Sequence, residues 1–259
     1  MQEINKSLEL EDYKDKKIMV ITGAGISVDS GIRPYWGEDG SYAALQDKYG
    51  ADIGDVLSIE NFKRDPVQVW DCMKTLFDGV ADPKPNVAHH ALVEIERVSQ
   101  AFTLVTQNCD TLHTQAGSQN VLEIHGNASV AVCVECGERD PDYQKQLIKK
   151  SVPLCPSCTS ILRPDVVLFG EYPRLDFPQL VEVACQADIL LVVGTQAYFG
   201  YITELFNAFA ATGGRRVWVD VEMPNALLEN WQVLPSFTSS LEFWVDGATE
   251  FFKPVMAGK

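Results

Sequence analysis

The sequence predicts an α/β protein with a doubly wound, Rossmann-like parallel sheet and a small inserted module. Two observations indicate this fold class. Apolar runs typical of buried parallel strands alternate with stretches of helical periodicity. Two Cys-x-x-Cys pairs interrupt that alternation. We therefore expect a frayed or helical lead-in over 1–16, a Rossmann-like domain over 17–125 and 167–259, and a small module over 126–166.

Four apolar runs without strict polar alternation are predicted to be strands covered on both faces: 18–21, 102–105, 189–193 and 217–219. Four stretches between them have helical spacing of apolar residues, namely 65–80, 88–98, 179–187 and 202–211. The pair Gly213-Gly214 is expected to end the last helix before the next strand. This alternation of elements is what a doubly wound sheet requires.

A glycine-rich turn, Gly23-Ala24-Gly25-Ile26-Ser27, follows the first predicted strand. Glycine lets the backbone approach a phosphate closely, and the free N–H groups of a following helix attract negative charge. The turn therefore predicts a site for the pyrophosphate of a dinucleotide. Its pattern, G-A-G-x-S, differs from the usual G-x-G-x-x-G.

The two cysteine pairs, Cys133/Cys136 and Cys155/Cys158, are separated by eighteen residues. Each spacing places two thiolates on one tight turn, and two such turns complete a tetrahedron around one zinc ion. The alternative is four reduced cysteines without a metal. Since four thiolates fill the coordination sphere, we expect one structural zinc ion and hence a zinc-binding module.

Two polar segments follow predicted strands. The first, Gln107-Asn108-Cys109-Asp110, lies at the carboxyl end of strand 102–105, where open α/β sheets bind ligands. The second is His125, which precedes Gly126 just before the cysteine pairs. Taken separately, Asn108 and Asp110 also suit turn residues that bond their own backbone, and His125 suits a structural or surface histidine.

Charge and cysteine content narrow the function classes. The 259-residue chain has a formal net charge of −15 at pH 7, which disfavours binding to nucleic acid or to an anionic membrane surface. No segment approaches the length of a transmembrane helix, and residues 1–17 lack the apolar region of a signal peptide. Seven cysteines without a secretory signal indicate a reducing compartment, so we expect a cytoplasmic protein. Separately, we expect a monomer or weak oligomer.

Together these motifs resemble the sirtuins, a family of NAD-dependent protein deacylases. The resemblance covers about residues 17–250 and rests on the glycine turn, T-Q-N-x-D at 106–110, L-H at 112–113, H-G at 125–126 and both cysteine pairs. The segment from Arg163 to Glu171 resembles the family's substrate loop, and Gly194-Thr195 its second NAD-contacting turn. The resemblance implies NAD as cofactor and an acyl-lysine protein or peptide as partner. It also implies transfer of the acyl group to ADP-ribose with release of nicotinamide.

The resemblance also implies roles for individual residues. His125 is the implied general base on a ribose hydroxyl. Asn108 is implied to bond the nicotinamide ribose and position water, Asp110 to hold the nicotinamide carboxamide, and Gln107 to support this pocket. The acyl-lysine peptide is implied to add as a strand beside Val167, Phe169, Gly170 and Glu171. The implied NAD-binding residues are Gly23, Ala24, Gly25, Ser27, Arg33, Tyr35, Gln107, Asn108, Asp110, Gly194, Thr195 and Asp220.

The sequence departs from the sirtuin pattern on the NAD side. Tyr35 stands where sirtuins have the phenylalanine that covers the nicotinamide ribose, and Trp36 replaces an arginine that contacts NAD. We expect the loss of this bidentate donor to weaken NAD binding unless Arg33 compensates. Gln196 replaces the serine of G-T-S, and Asp220 replaces an asparagine. An acid there bonds both ribose hydroxyls and favours NAD over NADP.

Acyl preference is predicted from one helix. Sirtuins that remove succinyl or malonyl groups carry Tyr and Arg where this sequence has Met73 and Leu76. Neither residue binds a carboxylate, so we expect acetyl or longer neutral acyl groups, although both residues also suit a helix core. Two other functions remain open: a protein ADP-ribosyltransferase or NAD hydrolase on the same fold, and a noncatalytic module that binds NAD or acyl-lysine.

Overall fold

The computed structural model describes residues 2–4, 7–35, 40–77, 82–149, 151–197, 199–221 and 241–257. The strands in this part of the chain are β1 Gln2–Glu3, β2 Lys17–Thr22, β3 Ala101–Thr106, β4 Val121–Glu123, β5 Gly126–Cys133, β6 Arg139–Asp140, β7 Leu162–Val166, β8 Ile189–Val193, β9 Arg215–Val219 and β10 Leu241–Trp244. The four predicted strands correspond to β2, β3, β8 and β9, and all four predictions are confirmed.

The helices are α1 Ser41–Tyr49, α2 Ile53–Val56, α3 Ile59–Arg64, α4 Pro66–Phe77, α5 Val87–Val98, α6 Leu112–Ala116, α7 Tyr143–Leu147, α8 Phe177–Gln186, α9 Gly200–Ala210 and α10 Gly247–Ala257. Two 3-10 helices span Leu10–Tyr13 and Ala24–Ser30. The four predicted helices correspond to α4, α5, α8 and α9. Residues 78–80 of the first predicted helix lie outside the described residues. No helix among those described is long and apolar enough to cross a membrane.

Seven strands form one parallel sheet in the order β1-β10-β9-β8-β2-β3-β4. From β2 the chain moves outward through β3 and β4, and from β8 it moves outward on the opposite side through β9 and β10. The switch point of the sheet therefore lies between the carboxyl ends of β2 and β8, where doubly wound sheets bind ligands. The predicted α/β fold class is confirmed.

Both faces of the sheet are covered, which explains the uninterrupted apolar runs. In β2, Ile18 and Val20 pack on one side with α5 and α10. Met19 and Ile21 pack on the other side with α8 and α9. Because alternate side chains of a strand point to opposite faces, every position of such a strand meets a core.

The lead-in packs against the sheet domain. Strand β1, at the start of the lead-in, pairs with β10, and the residues Leu10–Tyr13 form a 3-10 helix. The lead-in is therefore partly helical. Leu8 and Tyr13 are buried in the core beneath α5 and α10. This segment therefore contributes to the fold of the larger domain.

The second lobe contains a three-stranded antiparallel sheet in the order β6-β5-β7. Strand β5 begins at Gly126 and β7 ends at Val166, which are the boundaries proposed for the small module. Helices α1 to α4 share a hydrophobic core with this module. The indole Nε1 of Trp70, on α4, donates a hydrogen bond to the carbonyl of Leu162 at 2.9 Å. Helices α1 to α4 and the small module thus form one lobe, which lies next to the switch point of the sheet.

Candidate active site

The glycine turn packs directly against the loop that follows β8. The Gly25 N–H donates to the carbonyl of Gly194 at 2.8 Å. A Cβ atom on Gly23 would lie 2.6 Å from the Cβ of Thr195, and one on Gly25 would lie 2.6 Å from the Cα of Gly194. The missing side chains therefore let the two loops meet, a use of glycine that the sequence did not predict. The helix expected after the turn is the 3-10 helix Ala24–Ser30.

The glycine turn after β2 and the polar segment 107–110 after β3 are joined by hydrogen bonds. Asn108 Nδ2 donates to the carbonyl of Gly23 at 3.0 Å and to Ser27 Oγ at 3.3 Å. Ser27 Oγ donates to Asp110 Oδ2 at 2.7 Å. Burial raises the pKa of Asp110, although hydrogen bonds from Ser27 and the Leu112 N–H oppose this rise. Asn108 and Asp110 therefore project from a fixed polar network.

Gln107 connects three strand ends. Its Nε2 donates to Thr195 Oγ1, after β8, at 3.0 Å and to the carbonyl of Thr22, at the end of β2, at 3.3 Å. Its own carbonyl lies 3.0 Å from His125 Nδ1. The buried Gln107 thus joins the loops that follow β2 and β8 to His125.

His125 lies between β4 and β5 and is held through both ring nitrogens. Burial favours the neutral ring, and because the Gln107 carbonyl only accepts, the proton of that ring lies on Nδ1 and Nε2 is unprotonated. Nε2 lies 2.5 Å from the hydroxyl of Tyr201, which must therefore donate to it. Burial lowers the pKa of His125, and the hydrogen bond to Gln107 offsets this only in part. A neutral imidazole with a bare Nε2 is equipped to accept a proton.

Tyr201 is a site residue that sequence reasoning missed. It lies in the first turn of α9, and its ring stacks on Phe199 at a centroid distance of 5.7 Å. The Phe199 ring meets His125 edge-on at 5.2 Å. Tyr201 is 76 residues from His125 in sequence, and no motif in the chain links them. The contact depends on where α9 begins relative to the sheet.

Two cavities meet beside these residues. The larger, about 850 Å³, reaches Asn108 and Asp110 on its polar side and extends between α1, α4 and α7; we call it the cleft. The smaller, about 80 Å³, passes His125; we call it the channel. Four residues line both cavities: Tyr35, Met73, Leu76 and Cys109. The channel therefore leads from the imidazole into the cleft.

The predicted peptide-binding segment lies along the channel. Val167 and Phe169 line it, and the Val167 N–H donates to the carbonyl of His125 at 2.8 Å. The Phe169 N–H donates to the Leu57 carbonyl at 3.0 Å, while its own carbonyl accepts from the Ile59 N–H at 2.9 Å. The backbone of Phe169 is thus already paired within the protein.

Glu171 shapes the same loop. Its carboxylate accepts two hydrogen bonds from Arg163, at 2.7 and 2.6 Å, and one from the Leu168 N–H at 2.9 Å. Burial alone would raise the pKa of Glu171, but its bonds to Arg163 and Leu168 outweigh burial and lower it. The turn at Gly170 has φ of 88°, a conformation that glycine adopts without strain.

The remaining predicted NAD-side residues surround the switch point. Ala24, the exposed Arg33 and Tyr35 line the cleft together with Asn108 and Asp110. Asp220 is buried at the carboxyl end of β9, where its Oδ1 accepts from the Val221 N–H at 2.7 Å. Trp36 lies outside the described residues.

The four cysteines of the module converge. Their Sγ atoms all lie within 4.8 Å of one another, with Cys133 to Cys158 at 3.5 Å and Cys136 to Cys155 at 3.6 Å. The Cys136 N–H lowers the pKa of Cys133 to about 6. Four clustered cysteine sulfurs match the donor set of a structural zinc ion. The residues present therefore fit the predicted metal.

Comparison with known proteins decides the family. A model of the Sir2 family matches residues 23–199. This range contains the glycine turn, the polar segment 107–110, His125 and all four clustered cysteines. The chain belongs to the Sir2 family. The resemblance to sirtuins drawn from the motifs is thereby confirmed.

Curated relatives extend this match over most of the Sir2 chain. An NAD-dependent protein deacylase of Pyrococcus furiosus is 39% identical over 227 residues, covering 83% of this chain and 85% of the relative. An NAD-dependent protein deacylase of Leptospira interrogans is 33% identical over 240 residues, covering 92% and 91%.

Solved structures agree with the fold. Sir2Tm bound to a propionylated peptide matches with a TM-score of 0.74 at 28% identity, over 97% of this chain and 98% of that chain. A Sir2 complex with a p53 peptide and NAD+ matches with a TM-score of 0.73 at 29% identity, over 93% and 92%.

Proposed function

We propose that this Sir2 protein is an NAD-dependent protein-lysine deacylase that transfers the acyl group to ADP-ribose and releases nicotinamide. The observation that carries the proposal is the protonation state of His125. This residue lines the channel, and its neutral imidazole carries no proton on Nε2. The names of the curated relatives, all NAD-dependent protein deacylases, support it. So do the propionylated peptide and the NAD+ held by the two solved relatives.

The residues at the switch point suit NAD. NAD supplies a nicotinamide–ribose bond whose cleavage makes a sugar carbon reactive. Asp110, which already accepts from Ser27, offers an acceptor for the carboxamide, and Asn108 offers an amide for the ribose. The other proposed contacts are those of the loops that meet here: Gly23, Ala24, Gly25, Ser27, Arg33, Tyr35, Gln107, Gly194, Thr195 and Asp220.

In this proposal His125 moves one proton. Its Nε2 accepts the proton of a ribose hydroxyl, while Nδ1–H remains bonded to the Gln107 carbonyl. The imidazolium that forms is stabilised by that carbonyl, and the lowered pKa of His125 favours later loss of the proton. Asn108 positions the reacting sugar and Asp110 the carboxamide, and neither side chain exchanges a proton.

We propose that the acyl-lysine peptide lies along Val167, Phe169, Gly170 and Glu171. The two backbone groups of Phe169 already bond Leu57 and Ile59, so the peptide would use the neighbouring positions of this loop. The carboxylate of Glu171 is held by Arg163 and would act by fixing the loop. Main-chain bonding of this kind tolerates many peptide sequences.

The proposed substrates carry neutral acyl groups, including long ones. Met73 and Leu76 line the channel as well as packing in the core, and neither side chain can bind a carboxylate. We propose that the acyl group passes them on its way into the cleft, and we call this route the acyl path. Beyond them the cleft provides about 850 Å³ with apolar walls that include Leu45, Trp70 and Leu147. Each buried methylene contributes about 0.8 kcal/mol, so a chain that extends past Leu76 should bind more tightly.

One assay tests the function. Nicotinamide release and free lysine are measured with NAD plus peptides carrying acetyl, hexanoyl, decanoyl or succinyl groups, and with NAD alone. We expect release only with acylated peptides, in equal amounts with free lysine, and a lower KM for the decanoyl than for the acetyl peptide. NAD loss without peptide, or transfer of radiolabel from NAD to protein, would instead identify an NAD hydrolase or ADP-ribosyltransferase.

We propose one structural zinc ion on Cys133, Cys136, Cys155 and Cys158, in a module that spans 126–166. None of the seven cysteines forms a disulfide, which supports a reducing, cytoplasmic location. The net charge of −15 argues against nucleic acid and anionic membranes as partners. We also retain the expectation of a monomer or weak oligomer.

A further inference from the structure

We infer that Tyr201 is a positioning residue that reversibly caps the general base: its phenol holds Nε2 of His125 until a ribose hydroxyl takes its place. This inference rests on the proposed role of His125 as the base. It adds a contact between His125 and the start of α9.

The geometry defines who donates to whom. The Gln107 carbonyl holds Nδ1 as N–H, so Nε2 carries the lone pair, and the Tyr201 hydroxyl at 2.5 Å donates to it. Burial raises the pKa of Tyr201, so the phenol remains protonated and keeps its donor hydrogen. The pair therefore fixes the tautomer and the orientation of the ring that the reaction requires.

The cap and the substrate compete for one lone pair. Neutral imidazole has a single in-plane acceptor at Nε2, so it cannot accept fully from the phenol and from a ribose hydroxyl together. When the hydroxyl gives its proton to Nε2, the phenol must already have moved away. Gly200 precedes Tyr201, and apart from its chain neighbours no heavy atom of the described residues lies within 4 Å of the position of a Cβ on Gly200. The backbone at the start of α9 is therefore loosely packed at this glycine.

The other groups around the channel do not titrate with His125. Tyr35, Tyr42 and Cys109 line it, and burial raises the pKa of each. The charged groups that act on Cys109 are Asp110, Glu123, Asp165 and Arg174. The Tyr201 hydroxyl and the Gln107 carbonyl are the polar atoms that bond the His125 ring in the described part of the chain.

The test is the pH profile of kcat/KM for the Tyr201→Phe variant. A donor to neutral Nε2 lowers the pKa of His125 in the free enzyme, so removing it should move the acidic limb to higher pH by about 0.5 to 1 unit. Above that limb kcat should stay within about twofold of the wild type, because the cap is absent from the reacting complex. Tyr13→Phe is the matched control, since the buried Tyr13 hydroxyl has no hydrogen-bond partner among the described residues.

An unshifted acidic limb would overturn the inference. A loss of kcat as large as that of His125→Ala would overturn it too, because the phenol would then be a proton relay. The ¹⁵N chemical shifts of the His125 ring supply a readout independent of turnover. We expect a proton on Nδ1 and an unprotonated Nε2 that accepts a hydrogen bond from the Tyr201 hydroxyl, and we expect Tyr201→Phe to lose that hydrogen bond. Full turnover by His125→Ala would refute the proposed base itself, which separates that failure from failure of the cap.

Discussion

The guanidinium of Arg163 and the carboxylate of Glu171 form a two-point ion pair, with N–O distances of 2.7 and 2.6 Å. Both side chains are largely buried, at 18% and 26% exposure. The pair bridges the ends of the loop whose middle residues line the channel. The carboxylate of Glu171, a residue predicted to contact the peptide, therefore holds the two ends of this loop together.

We expect Glu171→Gln and Arg163→Lys to raise the KM for acylated peptide alike, by roughly tenfold, which corresponds to about 1.4 kcal/mol. Each change breaks the planar two-point geometry and frees the loop, whereas kcat at saturating peptide should change little. Steady-state kinetics with varied peptide check this. Glu60→Gln, an exposed residue paired only with Lys63, is the control. An effect confined to Glu171→Gln would mean that its carboxylate touches the peptide directly.

Zinc should be needed for the fold of the second lobe. We expect one zinc ion per chain by elemental analysis, lost in Cys136→Ala and after treatment with a strong chelator. Because the Trp70 indole bonds the Leu162 carbonyl of β7, loss of the metal should disturb α4 and lower the thermal midpoint. Cys185→Ala, at an exposed cysteine outside the cluster, should keep its zinc. A metal-free protein with an unchanged midpoint would contradict this expectation.

The central strands were predictable because burial on both faces leaves a simple signal. Strands β2, β3, β8 and β9 are buried at most positions, and each contains a short, largely apolar run that stands out in the sequence. Strand β4 lies at the sheet edge and is only half buried, and β10 alternates buried and partly buried positions. Such strands lack an uninterrupted apolar run, so the same criterion passed over both.

The residue types of the site were also predictable, but not all of their contacts. Local motifs place Asn108 and Asp110 at a strand end, and the structure brings them to Ser27 as expected of a switch point. A contact such as Tyr201 with His125 joins distant elements and depends on the angle at which α9 leaves the sheet. Sequence spacing carries no information about that angle.

A buried histidine pair should make stability depend on pH. His89 and His113 lie with ring centroids 4.8 Å apart. Burial lowers the pKa of His89 to about 4 and that of His113 further below its usual value. The unfolded chain, with a histidine pKa of about 6.5, binds more protons over this range. Stability is therefore fully present above about pH 6.5 and falls toward pH 4.

Urea unfolding at a series of pH values measures this dependence. Each histidine contributes a slope of about 1.4 kcal/mol per pH unit, and His89→Gln should remove one such contribution. Glutamine at this capping-box position can still accept from the Asn86 N–H, so the helix start is retained. His90→Gln, at an exposed position, should leave the slope nearly unchanged. Equal slopes for the wild type and His89→Gln would show that the pair is not protonated on unfolding.

Acyl selectivity should depend on Met73 and Leu76, two of the four residues that line both the channel and the cleft. We expect the double variant Met73→Tyr/Leu76→Arg to gain activity on succinyl-lysine peptides, because a guanidinium binds a carboxylate at two points. The same bulk and charge at the entrance to the cleft should lower kcat/KM for a decanoyl peptide by roughly tenfold, about 1.4 kcal/mol. Val67→Arg adds the same charge to α4 at a position 47% exposed that lines neither cavity, so it should change neither activity. Unaltered decanoyl turnover in the double variant would mean that long chains take another route. Such a result would leave deacetylation intact while removing the cleft from the proposed acyl path.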